Sequence, residues 1–317
     1  MHAWAPPTHW SKSRQLHWQN AVRHVYITPL EACNLRCKIC YTRKTQVTIQ
    51  NQEILDFLAN YQKVQTVDSV ILCGGEVFLM PQFPELVNTL TQQGLLVEII
   101  TNGTIDRLDA INQPNSVNLI VSLDGLDEEH DHNRGAGTFS TSFNFLKKAH
   151  DLGFHVEVFS ILTAERFARR GTFSSDLAVR LGFPIQVTFH PRKPPTYLVK
   201  HPTNSVIGSI NGFGFLNQAH FDQLKRQTNS ETVFPPLNFG CYQIALLSDK
   251  KVYGCCESPL ALGDISTPPT ELLSRLAHRV SASFDQTETN SYLGCSDCAF
   301  HCGLTSTYEL QLPKPQL

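Results

Sequence analysis

The stretch Glu31-Ala-Cys-Asn-Leu-Arg-Cys-Lys-Ile-Cys-Tyr41 sets Cys33, Cys37 and Cys40 in a CxxxCxxC pattern. It follows residues 24–29 (HVYITP), a β-branched and apolar run that is typical of a buried strand. Three thiolates this close on one loop can converge on a cube-shaped 4Fe–4S cluster and leave its fourth iron without a protein ligand. A vacant iron is a position where a small molecule can chelate.

Two other uses of these cysteines are open at this point. A zinc site would need a fourth ligand nearby, and buried cysteines can serve as small, unreactive apolar groups. The chain contains ten cysteines, and residues 1–20 lack the apolar core of a signal peptide. We therefore expect a cytoplasmic protein, in which cysteines bind metals or act in catalysis more often than they form disulfides.

Outward from the cysteine motif, short apolar runs alternate with longer helical stretches as far as residue 190. This alternation is typical of successive βα units and a parallel sheet. The clearest helix is predicted to begin with Ser140 as its N-cap and to end at Gly153. The predicted strands are residues 24–29, 69–73, 96–101, 117–123, 155–161 and 185–190.

Three further motifs stand at the ends of successive predicted strands. They are Cys73-Gly-Gly-Glu76, Thr101-Asn-Gly103 and Ser122-Leu-Asp-Gly125. Paired glycines let backbone approach a ligand closely, and a carboxylate suits an ammonium group. Taken singly, each motif could be ordinary turn chemistry, since Asn-Gly and Asp-Gly are common loop residues. Cys73 is most simply a small buried strand residue.

In this order and spacing, the motifs resemble those of the radical S-adenosylmethionine (SAM) superfamily. The resemblance implies an α/β fold with a partial (β/α)6 TIM-like barrel, a 4Fe–4S cluster on the three cysteines, and SAM on the open iron. Cys73 and Val77 depart from the Thr and Pro that the family often has beside its glycines and Glu. The resemblance implies that the segment Gly74, Gly75 and Glu76 holds the SAM amino group, that Ser122 and Asp124 are the ribose and carboxylate candidates, and that Arg134 binds the carboxylate in a bidentate pair. Tyr41 and Asn102 are further implied contacts.

A second group of cysteines lies in the last part of the chain. It resembles the SPASM or twitch extension of radical SAM enzymes, which implies a small C-terminal domain with an auxiliary 4Fe–4S cluster. Its number of cysteines fits one cluster better than two, and a structural zinc site is the alternative. The group is Cys241, Cys255, Cys256, Cys295, Cys298 and Cys302.

Adjacent cysteines rarely both bind one metal centre, because their side chains leave the backbone in different directions. Cys255 is favoured as the ligand of this pair. Cys241, Cys295, Cys298 and Cys302 then offer one thiol more than the cluster needs. Cys256 is left as a spare thiol, and we treat it as a candidate hydrogen-atom donor of the kind that radical epimerisation uses.

The predicted domains are an N-terminal extension (1–20), the barrel (21–200) and the auxiliary domain (201–317). The second boundary falls near prolines 191, 194, 195 and 202, a composition typical of a connection between domains. Trp4, Trp10 and Trp18 could bind a partner, but packing on the barrel is the favoured role.

The resemblance implies reductive cleavage of SAM to a 5'-deoxyadenosyl radical, with flavodoxin or ferredoxin as the reductant. The expected substrate is a ribosomally made peptide or protein that is crosslinked, epimerised or oxidised. The alternatives are a small sugar or aminocyclitol substrate, or a non-enzymatic iron–sulfur or zinc protein. A net charge of -2 with scattered Lys and Arg argues against nucleic acid as a partner. No stretch approaches the roughly 20 apolar residues of a membrane span.

Overall fold

The computed structural model describes residues 4–10, 12–40, 42, 44–192, 213–217, 219–220, 223, 243–256 and 260–285. Within these ranges, the helices are α1 Lys12–Ala21, α2 Asn51–Gln62, α3 Phe83–Gln92, α4 Glu128–Arg134, α5 Thr138–Asp151, α6 Arg170–Leu181 and α7 Pro269–Asp285. The strands are β1 His24–Ile27, β2 Ser69–Leu72, β3 Leu96–Thr101, β4 Val117–Ser122, β5 His155–Leu162, β6 Gln186–Pro191, β7 Ile244–Leu246, β8 Lys251–Tyr253 and β9 Ala261–Asp264.

The described strands form one sheet of nine, in the order β6-β5-β4-β3-β2-β1-β7-β8-β9. Neighbours from β1 to β6 are parallel, and β7 adds in parallel beside β1. The β7–β8 and β8–β9 pairs are antiparallel. The sheet does not close on itself, because β6 is an edge strand. This architecture confirms the predicted α/β class with a partial barrel.

One face of the parallel strands is covered by helices. Along β1 and β2, Val25, Ile27, Val70 and Leu72 alternate with half-buried residues and are completely buried in the main core. Alternation is expected because successive side chains of a strand point to opposite faces. The helices supply matching apolar stripes, which in α3 consist of Phe83, Leu86, Val87 and Leu90.

The sequence located each barrel strand to within two residues at either end. The predicted N-cap of the helix at Ser140 was wrong. Helix α5 follows Gly137, and Asp131 accepts hydrogen bonds from Gly137 N (2.6 Å) and Phe139 N (2.7 Å). Because this carboxylate satisfies the first N–H groups, the helix begins at Thr138 and Ser140 lies within its first turn. The predicted end holds, since Gly153 is left-handed (φ 86°).

The tryptophans of the N-terminal segment pack on the protein, as favoured. Trp4 and Trp10 each have their rings 5.3 Å from Trp18, which is completely buried. Trp10 Nε1 donates to Ser281 Oγ (2.8 Å) in α7, so the two ends of the described chain are in contact. The domain boundary near residue 200 falls among residues 193–212, outside the described ranges, and stays a prediction. No helix in the described ranges is long and apolar enough to cross a membrane.

Candidate active site

The cysteine loop leaves β1 and is held by the segment that follows β2. Gly75 N donates to Leu30 O (3.1 Å) and Glu76 N donates to Ala32 O (2.9 Å). A Cβ on Gly74 would lie 2.2 Å from Leu30 O, and one on Gly75 would lie 2.1 Å from Ala32 O. Backbone atoms cannot move aside as a flexible side chain can. The glycine pair therefore allows the two loops to lie this close.

Glu76 joins the carboxyl ends of β2 and β3. Its carboxylate is completely buried and accepts hydrogen bonds from Thr101 Oγ1 (2.8 Å), Phe78 N (3.1 Å) and Asn102 N (2.7 Å). Burial raises the pKa of Glu76, and the bonds from Asn102 and Thr101 oppose the rise. Three protein donors thus already engage the carboxylate, and its expected contact with the SAM amino group stays a prediction.

Asn102, the next residue, steadies the first part of the cysteine loop. Its Nδ2 donates to Asn34 Oδ1 (3.0 Å) and lies 3.8 Å from Cys33 Sγ. Its own Oδ1 accepts from Thr104 N (2.8 Å), and its backbone oxygen accepts from Ser142 Oγ (2.6 Å) in α5. The end of β3 and helix α5 therefore both fix the side of the loop that carries Cys33.

The second part of the loop is held by Asn133, which the sequence analysis did not single out. Lys38 N donates to Asn133 O (2.9 Å), and Ile39 N donates to Asn133 Oδ1 (3.2 Å). Asn133 Nδ2 then donates to Asp124 Oδ2 (2.6 Å). Its position one residue before Arg134 is the signal that could have drawn attention to it. Asn133 links the loop between Cys37 and Cys40 to the end of β4.

Asp124 is the anchor of Arg134. Its carboxylate is 1% exposed, and Oδ2 accepts from Arg134 Nε (2.6 Å) while Oδ1 accepts from Ile161 N (3.0 Å). Burial alone would raise the pKa of Asp124, but Arg134 and Arg166 outweigh it and hold that pKa well below its usual range. These contacts give Asp124 the task of orienting Arg134, and its direct contact with SAM stays a prediction.

Arg134 lies between Asp124 and the cysteine loop. In the described part of the chain the guanidinium uses Nε for its hydrogen bond to Asp124, which leaves its Nη groups for a ligand. Cys37 and Cys40 lie close enough to influence its pKa. Burial raises the pKa of Cys37 to about 11, although Arg134 lowers it. Without iron this thiol is protonated at neutral pH, so metal binding must displace the proton.

The three cysteines of the loop fit a 4Fe–4S cluster. None is in a disulfide, and Cys40 contributes to the raised pKa of both Cys33 and Cys37, so the thiols lie near one another. No set of three or more His, Cys, Asp or Glu in the described ranges could hold a single metal ion. The ligands of a 4Fe–4S cluster lie farther apart than those of a single metal ion, because each thiolate binds a different iron.

Of the other predicted site residues, some lie outside the described ranges and some lie within them. Tyr41, Cys241, Cys295, Cys298 and Cys302 lie outside the described residues. Ser122 is buried as the last residue of β4. Cys255 is buried after β8, whereas Cys256 is half-buried. The roles of all these residues stay predictions.

Cys73 is half-buried just after β2, rather than buried within the strand. Burial raises the pKa of Cys73 to about 11, a hydrogen bond with Tyr26 lowers it, and Cys256 adds to the rise. Cys256 is therefore near the carboxyl end of β2. The two thiols are close enough to interact electrostatically.

The fold and the cysteine loop define a class of iron–sulfur enzymes. The family model of the radical SAM superfamily matches residues 27–164, from the end of β1 to the loop after β5. Over these residues the chain is similar to the radical SAM superfamily. Members of this family use a 4Fe–4S cluster and SAM.

Curated relatives match the barrel region. The sporulation killing factor maturation protein SkfB of Bacillus subtilis is 30% identical over 123 residues, which are 37% of this chain and 30% of SkfB. Fe-coproporphyrin III synthase of Methanosarcina barkeri is 28% identical over 135 residues, which are 39% of this chain and 33% of that protein. Each match thus covers about a third of the relative's length.

A solved structure extends the likeness beyond the barrel. The crystal structure of Streptococcus suis SuiB bound to precursor peptide SuiA matches with a TM-score of 0.61 at 13% identity. The match covers 92% of this chain and 72% of the SuiB chain. At this identity the likeness shows the fold alone. It supports the partial barrel that the motifs predicted.

Gly75→Ala should reduce iron binding by the cysteine loop, because the added Cβ would lie within 2.2 Å of the carbonyl oxygens of both Glu31 and Ala32. Iron per chain after anaerobic reconstitution is the measurement. Gly171→Ala is the matched control, since a Cβ there meets nothing within 4 Å and its φ is not left-handed. Equal iron in the Gly75 variant and the control would contradict this account of the glycine pair.

His130 gives the site a predicted pH response. The side chain is completely buried, and its Nδ1 accepts a hydrogen bond from Asp124 N (3.2 Å). Burial is the main cause that lowers the pKa of His130 to about 4, and the positive charge of Arg134 lowers it further. The unfolded chain takes up this proton below about pH 6.5 and the folded chain does not, so stability falls as pH falls. From pH 7 to pH 5 the loss should be about 2 kcal/mol.

Urea unfolding of the iron-free protein at both pH values measures this loss. The comparison is with His130→Gln, which keeps an acceptor but cannot titrate. A loss of the same size in the variant would show that other groups cause it.

Proposed function

We propose that this chain abstracts a hydrogen atom from a ribosomally made peptide or protein. When bound, the cluster and SAM supply the 5'-deoxyadenosyl radical that does so. The observation that supports this most directly is the position of Arg134. Asp124 fixes Nε, Cys37 and Cys40 lie nearby, and the Nη groups remain for a carboxylate beside the cluster ligands.

In this proposal the residues of the site divide the work. Cys33, Cys37 and Cys40 hold the cluster, and Arg134 binds the methionyl carboxylate of SAM through charge-assisted hydrogen bonds. Glu76 keeps the strand ends together around the ligand. Further contacts to SAM are proposed for Gly74, Gly75, Asn102, Ser122, Asp124 and Tyr41.

The open sheet suits a large substrate. The strand face turned away from the helices carries half-buried polar side chains, among them Glu98, Asn118 and Glu157. Asn118 Nδ2 donates to Glu157 Oε1 (3.2 Å) across β4 and β5. The same face also carries the half-buried Ile100, Ile120 and Phe159, and a mixed inner face beside an open edge can admit a peptide chain.

The relatives favour a peptide without excluding a small molecule. SkfB is a maturation protein for sporulation killing factor, and SuiB was solved with a precursor peptide. Fe-coproporphyrin III synthase, by contrast, is named for a porphyrin product. Mass spectrometry of any short peptide encoded beside the gene, before and after turnover, distinguishes the two substrate classes. An unmodified peptide together with a modified small molecule would reverse the assignment.

The proposal includes an auxiliary 4Fe–4S cluster. Cys255 is a proposed ligand, together with members of the set Cys241, Cys295, Cys298 and Cys302, and Cys256 is the candidate hydrogen-atom donor. Cys256 lies near Cys73 at the end of β2, the end that carries the SAM loops, which favours a position close to the substrate. A cytoplasmic flavodoxin or ferredoxin is the proposed electron donor.

Changing Cys33, Cys37 and Cys40 together to Ala should remove about four irons per chain and abolish the formation of 5'-deoxyadenosine. Iron assay and chromatography of the reduced, reconstituted protein with SAM measure both effects. Cys73→Ala is the control, because it removes a thiol at the same end of the barrel that is no proposed ligand. A triple variant that still cleaved SAM would overturn the proposed function.

Arg134→Ala should weaken SAM binding about tenfold or more at unchanged iron content, because a charge-assisted contact contributes about 1.5 to 3 kcal/mol. Equilibrium dialysis with labelled SAM measures it. Arg180→Ala, which removes an exposed ion pair with Asp127, should bind SAM normally. Decarboxylated SAM should bind the wild type and the Arg134 variant alike, and a clear difference there would argue against the proposed carboxylate contact.

A further inference from the structure

Arg192 is a buried cation at the functional end of the barrel. It directly follows β6, and its N–H donates to Leu162 O (2.9 Å), which continues the pairing of β6 with β5. Parallel strands end here, on the side that carries the cysteine loop. The residue is 3% exposed. Burial lowers the pKa of Arg192 and Glu165 opposes this, but an arginine stays charged at neutral pH.

One edge of the Arg192 guanidinium is satisfied by the protein and the other is not. Nη1 donates to Phe213 O, and the group lies over the ring of Phe215, 4.2 Å from its centroid. Among the residues that the structure describes, neither Nε nor Nη2 has a hydrogen-bond partner, although both are buried. These two nitrogens form the side-on fork that accepts both oxygens of a carboxylate. Buried donors left unpaired are costly, so the edge indicates a ligand.

The acid that influences Arg192 does not fill this fork. Glu165 Oε1 accepts from Gly214 N (2.6 Å), so this oxygen already has a donor in the protein. Its charge acts on Arg192 from outside hydrogen-bond contact. Glu165 therefore stabilises the cation while leaving the Nε–Nη2 edge to another anion.

The fork lies on the same rim of the barrel as Arg134, the rim being the end formed by the carboxyl ends of the parallel strands. Phe213, whose backbone oxygen accepts from Arg192, has its ring 5.5 Å from the ring of His132. His132 is in α4, two residues before Arg134. Phe213 thus places Arg192 beside helix α4, the helix that carries Arg134 at its end. The rim offers two separate forks for two carboxylates.

We propose that the Nε–Nη2 edge of Arg192 binds a carboxylate of the substrate. A carboxylate matches the two coplanar N–H donors of one guanidinium edge, and peptides present it as an Asp or Glu side chain or as the chain terminus. The proposal deepens the proposed function and rests on it. It states that the substrate has an acidic group close to the reacting carbon, whereas Arg134 serves the carboxylate of SAM.

The test uses two probes that differ in one group, N-acetylglutamic acid α-amide and N-acetylglutamine α-amide. Each is titrated at constant ionic strength against the reconstituted full chain, with the unfolding temperature as the readout. The acid should bind wild type about tenfold more tightly than the amide. Arg192→Met should abolish this preference, and the exposed control Arg180→Met should keep it. Equal binding of both probes to wild type, or a preference that survives in Arg192→Met, overturns the proposal.

SAM and decarboxylated SAM identify the source of the carboxylate. In Arg192→Met both should bind as in wild type. If the variant weakens SAM but not decarboxylated SAM, Arg192 binds the cofactor and the substrate assignment is overturned. Because the variant removes a buried cation with an unpaired edge, its unfolding temperature should not fall.

A second variant and a separate activity measurement keep the outcomes apart. Should Arg192→Met fail to fold, Arg192→Lys retains the charge without the planar fork and should reduce the preference for the acid severalfold, whereas an unchanged preference overturns the proposal. Formation of 5'-deoxyadenosine by wild type is measured alongside. Its absence would refute the proposed function, while the binding of the two probes still reports on Arg192.

Discussion

The site depends on the close approach of backbone to backbone between Gly74, Gly75 and the start of the cysteine loop. Two hydrogen bonds cross this contact, and a side chain on either glycine would collide with carbonyl oxygens. A loop that carries three soft ligands has little packing of its own, so its shape comes from its neighbours. Any movement of this backbone would alter the spacing of the thiols.

Buried polar groups connect this backbone contact to the carboxyl ends of the neighbouring strands. Glu76 joins β2 to β3, Asn102 reaches back to the loop, and Asn133 connects the loop to Asp124. Each group is satisfied by partners on another element, and a network of this kind is costly to leave half made. The ends of three strands thus hold the cysteine loop in place. Arg134 is held in position by the same network, because Asp124 fixes one edge of its guanidinium.

Arg134 and Arg192 show how similar side chains acquire different tasks. Arg134 has an acidic partner inside the protein and lies close to Cys37 and Cys40 of the cysteine loop. Arg192 has a carbonyl and an aromatic ring as partners, and its fork is unpaired. The difference lies in what the neighbouring loops supply. The two proposed anion-binding edges lie at the same end of the barrel, as a catalyst that holds a cofactor and a substrate together would need.

The sequence by itself determined the α/β class, the limits of the barrel strands and the cysteine motif, because alternating burial and short motifs are local properties of the chain. It did not reveal that Asp131 caps α5, that Asn133 holds the loop, that β7 pairs beside β1, or that Arg192 has an edge without a partner among the described residues. Most of those features join residues far apart in sequence, and the capping of α5 depends on how the turn between α4 and α5 folds. Tertiary structure alone decided them, since a hydrogen bond depends on which groups the folded chain brings within reach.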